Sequence, residues 1–333
     1  MEQNKRTIAI VAGGDSSEHD VSLRSAQGIY SFMDKEKYNC HIIEIKGACW
    51  EAVTANGERY PVDKNNFTFD TPQGRIKPDF AYITIHGTPG ENGLLQGYFD
   101  MIGLPYSTSG VLVEALTFHK FSLNQYLKSW GVKVAESLLI RKGQEQNITD
   151  DQIIAKVGLP CFVKPAADGS SFGVTKVKNK EQLRGAIQLA MGEAGNEAMV
   201  EAFMQGVEIT CGCYKTRNVS RVLPITEVVS ADEFFDYNAK YNGAVQEITP
   251  ARLNEDTTLR VKQLTSAIYD ILGCQGIIRI DYILTGEKGH EKINMLEINT
   301  TPGMTATSFI PQQVKAAGLK MSDVLTDIIE NKF

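Results

Sequence analysis

Two short stretches near the C-terminal end alternate apolar and polar residues with a period of two: Ile278-Arg279-Ile280-Asp281-Tyr282 and Met295-Leu296-Glu297-Ile298-Asn299. That period predicts strands, on which side chains two apart share a face. Arg279 and Asp281 then look one way from the first strand, and Glu297 and Asn299 do so from the second. Ile278, Ile280, Leu296 and Ile298 turn to a core. If the strands are antiparallel neighbours, Asp281, Glu297 and Asn299 converge as two carboxylates and an amide oxygen, hard ligands of the kind that hold Mg²⁺ on a nucleotide's phosphates. By themselves these residues read more readily as the polar face of an ordinary solvent-facing sheet.

The rest of the chain alternates strands with helices or loops. Residues 7–14 read as a buried parallel strand closing in Gly13-Gly14, followed by a polar turn and a helix to Phe32. Further strands are predicted over 39–46 and 79–85. The latter runs into His86-Gly87-Thr88-Pro89-Gly90-Glu91-Asn92-Gly93 and a helix over 94–101. Open α/β sheets present ligand groups at the carboxyl ends of their strands. Glu18 there is either a first-turn acid favoured by the helix dipole or a residue aimed at an ammonium, and His86 is a candidate partner for an anion.

A helical stretch from Gly110 to Trp130 carries Lys120, and a strand over 159–165 carries Lys164. The small-residue loop Asp168-Gly169-Ser170-Ser171-Phe172-Gly173-Val174 offers backbone N–H and hydroxyl donors suited to covering phosphates, without the Gly-Lys-Ser/Thr ending of a P-loop. After a helix over 181–192, a strand over 198–204 exits through Phe203 and Met204, which supply apolar walls beside a backbone able to bond an adenine edge. Glu201 and Glu208 are placed to meet adenine's amino group or a ribose hydroxyl. Residues 230–248, with Lys240 and Tyr241, are polar, aromatic and poorly periodic, and read as a loop that closes over a site. The last long helix before the opening strand pair spans 256–272.

Composition narrows the classes. At 333 residues, 42% apolar and 22% charged, the chain has room for two or three cores. A formal charge of -6 argues against a nucleic-acid partner, which needs a basic face. The charged start, Met1 to Arg6, runs into an apolar segment too short for a signal sequence or a membrane span, so a cytoplasmic protein is expected. Of six scattered cysteines only Cys211 and Cys213 are close, with no second pair or His to complete a zinc site.

Taken in order, Gly13-Gly14-Asp15-Ser16-Ser17-Glu18-His19-Asp20-Val21-Ser22, His86-Gly87 with Gly90-Glu91-Asn92-Gly93, Val163-Lys164-Pro165 with Gly169-Ser170-Ser171-Phe172-Gly173, Tyr237 to Tyr241, Arg279-Ile280-Asp281 and Glu297-Ile298-Asn299-Thr300-Thr301-Pro302-Gly303-Met304 resemble the ATP-grasp ligases. Within these, the chain resembles the D-alanine–D-alanine ligase family over nearly its whole length. Each motif is weak alone; six in one order are specific.

The resemblance implies a three-domain α/β fold that clasps ATP. An N-terminal parallel-sheet domain would occupy residues 1–108, a central flap domain 109–200 and a C-terminal antiparallel catalytic domain 201–333. It also implies ATP-dependent joining of two D-alanines through a D-alanyl phosphate, for peptidoglycan assembly, in a homodimer. Lys120, Lys164 and Lys240 would meet the phosphates, and Glu201, Phe203, Met204 and Glu208 the adenosine. Two Mg²⁺ or Mn²⁺ would sit on Asp281, Glu297 and Asn299. Glu18 would hold the first substrate's ammonium and His86 would neighbour its carboxylate. Arg279 and the Gly303 N–H would stabilise the oxyanion, and Ser308, beside Phe309, would hold the second carboxylate. Glu18, Ser170 and Tyr241 would form one hydrogen-bonded set.

Two positions depart from the family pattern: Ala167-Asp168 where many members carry Arg-Glu, and Ala202 where many carry Lys. Tyr241 resembles the dipeptide-forming subgroup. Another ATP-grasp carboxylate–amine ligase, a D-alanyl–D-lactate ligase, and a non-catalytic nucleotide-binding protein are the alternatives.

Overall fold

The computed structural model describes residues 5–167, 173–193, 195–230 and 245–333. Asp168, Ser170, Lys240 and Tyr241 lie outside the described residues. Three sheets organise the chain.

The first sheet is centred on β1 (Arg6–Gly13), flanked in parallel by β2 (Tyr38–Lys46) and β7 (Phe80–Ile83). Beyond β2 it continues antiparallel through β3 (Cys49–Val53), β4 (Arg59–Asp63), β5 (Thr68–Thr71) and β6 (Gly74–Ile76). Periodicity predicts the parallel core; the four antiparallel strands after Lys46 extend it into a mixed sheet. β1 is buried on both faces, which explains its unbroken apolar run. One face packs on Ala26 and Ile29 of α1 (His19–Phe32) and on Ile310, Val314 and Leu325 from the C-terminal end, so the chain's two ends share a core. Burying such Leu and Ile side chains contributes about 1.5–3 kcal/mol each. At the end of β1, Gly13 has φ +97°, and a Cβ there would meet the Ile45 carbonyl oxygen at 2.4 Å, so only glycine serves at this turn.

The second sheet orders β10 (Thr175–Val177), β9 (Cys161–Pro165), β11 (Glu197–Ala202) and β8 (Ser137–Arg141), all antiparallel. Its apolar face rests on Ile153 and Val157 of α5 (Asp150–Val157) and on Leu183 and Ile187 of α6 (Leu183–Glu193).

The third runs β15 (Val245–Ile248), β14 (Thr226–Ser230), β12 (Val207–Lys215), β16 (Ile277–Thr285), β17 (Lys292–Asn299), with β13 (Ser220–Val222) on β12. Val245–Ile248, expected within a closing loop, is a strand paired with β14. α7 (Glu255–Leu272) covers one face through Val261, Thr265, Ile268 and Leu272. Asn254 caps its start, accepting the Thr257 N–H at 2.7 Å, and Gly273 at φ +67° ends it.

The stretch from Gly110 to Trp130 is two helices, α3 (Val111–Phe118) and α4 (Lys120–Ser129), broken at His119. The His119 side chain accepts the Ser122 N–H at 3.2 Å and its other ring nitrogen lies 2.9 Å from Glu197. The α2 helix (Leu94–Ile102) follows the His86 turn as expected. No described helix is long and apolar enough to cross a membrane.

Candidate active site

β16 and β17 pair antiparallel with Asp281 opposite Glu297 and Arg279 opposite Asn299, so the four polar side chains share one face, as the alternation predicts. One expectation fails there. The register shifts between Asp281 and Tyr282, leaving Leu296 as the extra residue of a bulge; it turns to the cavity, while Met295 takes the core position.

Asp281, 6% exposed, is the hub of the face. It accepts two hydrogen bonds from the Arg279 guanidinium, Nε at 2.9 Å and Nη2 at 2.8 Å. It also accepts Thr210 Oγ1 at 2.5 Å and Asn299 Nδ2 at 3.2 Å. A planar fork on a carboxylate fixes direction as well as charge. Burial works against the Arg279 cation, but Asp281, Glu297 and Glu208 outweigh it and hold its pKa above the ordinary arginine value. The Phe309 ring lies against the guanidinium, 5.2 Å from carbon to ring centre.

Past Asn299, the turn Thr300–Met304 is anchored from below. Thr300 donates to Glu114 at 2.5 Å and Thr301 to the Ile85 carbonyl at 3.0 Å. Gly303 follows, so close to Ser308 that a Cβ would lie 2.9 Å from its Oγ. Ser308 Oγ accepts the Thr305 N–H at 3.1 Å at the start of α8 (Phe309–Ala316).

On the opposite wall, Lys164 and Glu201, expected to serve phosphate and adenosine separately, form an ion pair with side chains only 10% and 5% exposed. Phe203 packs edge-on to Phe162 at 5.8 Å, with the Lys176 ammonium 4.1 Å above its ring. Lys120 is not a mid-helix residue: it opens α4, its N–H bonded at 2.8 Å to the carbonyl of Ala166, the residue that follows β9.

At the far end, His86 is buried, and its Nε2 has no hydrogen-bond partner among the described residues. Glu91 accepts the Gly87 N–H at 2.7 Å. Burial pushes the Glu91 carboxyl up, His86 and Gly87 oppose this, and Glu18 adds to it.

All the candidate residues within the described chain line one open cavity of about 1440 Å³: Glu18 and His86 at one end, Lys120, Lys164, Glu201, Phe203, Met204 and Glu208 along one wall, Arg279, Asp281, Glu297 and Asn299 on the floor, and Gly303, Ser308 and Phe309 at the rim. Glu91, Glu247 and Gln312 line it too, although none was singled out from sequence. Glu91 sits inside the His86 turn. Glu114, fully buried beneath that end, is a lone acid in the run Val111-Leu112-Val113-Glu114-Ala115-Leu116, and such an acid on an apolar helix is the signal that would have found it.

No group of three or more His, Cys, Asp or Glu among the described residues could hold a metal ion. Two carboxylates and an amide oxygen nonetheless fit a hard cation that completes its shell with phosphate oxygens and water, as Mg²⁺ does at nucleotide sites.

Comparison with known proteins shows the family. Residues 7–109 match the D-ala D-ala ligase N-terminus family and residues 126–330 the D-ala D-ala ligase C-terminus family. A D-alanine–D-alanine ligase of Phocaeicola vulgatus is 68% identical over 329 residues, 99% of this chain and 100% of the relative. Among solved structures, the VanG D-Ala:D-Ser ligase from Enterococcus faecalis superposes with a TM-score of 0.86 at 29% identity, covering 99% of this chain and 100% of that one. The D-alanine–D-alanine ligase of Bacillus anthracis complexed with ATP superposes with a TM-score of 0.76 at 26% identity, covering 98% and 97%.

Proposed function

This chain belongs to the D-alanine–D-alanine ligase family, and from that premise we propose how its cavity joins two D-alanine molecules with ATP as the driving reactant. The observation that carries the reading is the single cavity in which a fixed cation, two carboxylates, an amide and a buried Lys–Glu pair face one another.

ATP lies along the wall of Lys120, Lys164, Phe203 and Met204. The Phe203 ring and the backbone after it take the base, Glu208 the ribose, and Lys120 the phosphates. Lys164, pinned by Glu201, contributes charge at a set position between base and phosphates. Asp281, Glu297 and Asn299 would hold two divalent cations, Mg²⁺ or Mn²⁺, which when bound neutralise the charge on the transferring phosphoryl group.

The first D-alanine is held by Glu18 through its ammonium, with His86 beside its carboxylate. That carboxylate takes the γ-phosphoryl group and becomes an acyl phosphate, which exchanges a poor oxide leaving group for phosphate. The second D-alanine, its carboxylate at Ser308, attacks the acyl carbon. Arg279 and the Gly303 N–H then meet the developing oxyanion, where one donor is typically worth ~3 kcal/mol. The pre-set fork on Asp281 matters here, because a donor already aimed costs no reorientation in the transition state. Ser170, Lys240 and Tyr241 complete the proposal from the family pattern. The same reading divides the chain near residues 108 and 200 into donor, flap and catalytic parts, and places the enzyme in the cytoplasm as a homodimer.

The test is ADP and phosphate release with D-alanine, L-alanine, or D-alanine plus D-lactate, with products identified by mass, in the wild type and in Arg279→Ala. D-alanine alone should give D-alanyl-D-alanine, and the variant should lose it. Turnover without dipeptide, or only with another amino acid, would contradict the assignment.

A further inference from the structure

An amino acid reaches the acceptor site as an ammonium ion, which has no lone pair and cannot attack a carbonyl carbon. Some group must remove a proton at the acceptor end of the cavity. The carboxylates elsewhere on its walls are committed: Asp281 to Arg279, Glu201 to Lys164, Glu227 to Arg252, the last at 2.6 and 2.9 Å, and, in the ligase reading, Glu208 to the ribose and Glu297 to the cations. Glu18 and Glu91 lie at the donor end with His86.

Glu247 is different. It stands on β15 at the Ser308 rim, solvent-exposed, and lines the same cavity as Arg279 and Gly303. Gln312, in the first turn of α8, donates to Glu247 Oε2 at 2.6 Å and to the Thr307 carbonyl at 2.6 Å, so the carboxylate is tied to the residue that precedes Ser308. A carboxylate accepts several hydrogen bonds, so the bond from Gln312 leaves capacity for a proton. Among the described residues, Arg279 is the charged group that faces it.

Building on the ligase reading, we propose that Glu247 is the base that deprotonates the acceptor ammonium. The N–H bond breaks, its proton passes to a Glu247 oxygen, and the electron pair stays on nitrogen and attacks the acyl carbon. Phosphate then leaves with its bonding pair and takes the second N–H proton from the adduct, giving hydrogen phosphate and a neutral amide, and the Glu247 carboxyl returns its proton to solvent between turnovers. Although its side chain is open to solvent, the surrounding cavity walls strip part of the Glu247 carboxylate's hydration and raise its pKa, against Gln312 and Arg279, which brings it nearer the operating pH, where a general base works best.

Hydroxylamine separates this role from a structural one. It is largely an uncharged amine at neutral pH and traps an acyl phosphate as a hydroxamate without needing a base. Wild type and Glu247→Gln, an isostere that retains an acceptor for Gln312, are incubated with ATP, Mg²⁺, D-alanine and hydroxylamine, and hydroxamate and dipeptide are measured by mass in the same mixture. Glu247→Gln should keep hydroxamate formation within two-fold and lose dipeptide about 100-fold, the size expected of a general base. Glu247→Asp should recover part of the loss. Equal loss of both products, or loss of neither, overturns the assignment of Glu247. Failure of the wild type to form any hydroxamate overturns the ligase reading beneath it.

Discussion

The floor of the cavity and its Ser308 rim are held by different means. On the floor, Arg279 and Asp281 sit in the middle of a paired sheet, fixed by strand register, two parallel hydrogen bonds and the Thr210 hydroxyl from the neighbouring strand. At the rim, Glu247 stands exposed on an edge strand and is held by one glutamine at a helix start. The first arrangement suits a group that must already be aimed when charge develops. The second suits groups that meet a substrate arriving from solvent, and it allows side chains to change without disturbing the sheet. The group aimed at developing charge and the group that meets the arriving amine are therefore supported independently within this one cavity.

Breaking the floor should have the largest effect. Arg279→Ala removes the proposed oxyanion donor and leaves Asp281 buried without its main partner. The expected loss is ~10³-fold in kcat for dipeptide, about 4 kcal/mol of transition-state stabilisation, measured by initial rates at saturating ATP.

The nucleotide wall comes next. Glu201→Ala strands the Lys164 ammonium in a site where its side chain is only 10% exposed. Breaking a buried pair from one side costs about 3–5 kcal/mol, so urea unfolding should show a lower midpoint at unchanged slope, accompanied by a raised KM for ATP.

Beneath the floor, Glu114 gives a signed pH prediction. Burial and the nearby Glu91 raise its pKa well above 4.5, with bonds from Thr300 and Ser109 opposing. The unfolded carboxyl loses its proton near 4.5 while the folded one keeps it to higher pH. The contribution to stability is therefore complete below the unfolded value and is lost as pH rises through the folded one. Glu114→Gln lacks this dependence, so its stability relative to wild type should improve between pH 5 and pH 8, by at most ~1.4 kcal/mol per pH unit. Parallel stability curves for the two proteins would refute it.

The smallest effect belongs to Phe309. Phe309→Leu removes the ring against Arg279 and should cost about 1 kcal/mol, seen as a few-fold rise in KM for the acceptor with hydroxamate formation unchanged.

Much of the floor was legible in the sequence because strand periodicity is geometric: residues two apart share a face, and that alone placed Arg279 with Asp281 and Glu297 with Asn299. What escaped depended on three-dimensional neighbours. The bulge that turns Leu296 outward is a property of two strands together. The break at His119 arises where the chain meets Glu197, 78 residues away. Lys164 and Glu201 lie on adjacent strands, so sequence could assign each a ligand but not find the other. Glu247 borders residues with no clean period, which hid a short edge strand.

The central claim is that Arg279, aimed by Asp281, recognises the tetrahedral transition state and not the ground state. The most direct measurement is calorimetric binding, with ATP and Mg²⁺ present, of a phosphinate analogue of D-alanyl-D-alanine whose tetrahedral phosphorus replaces the reacting carbon. Arg279→Ala should bind the analogue about 100-fold more weakly, while its affinity for ATP alone stays within three-fold of wild type. Equal affinity of both proteins for the analogue, or a parallel loss of ATP binding, would contradict the account.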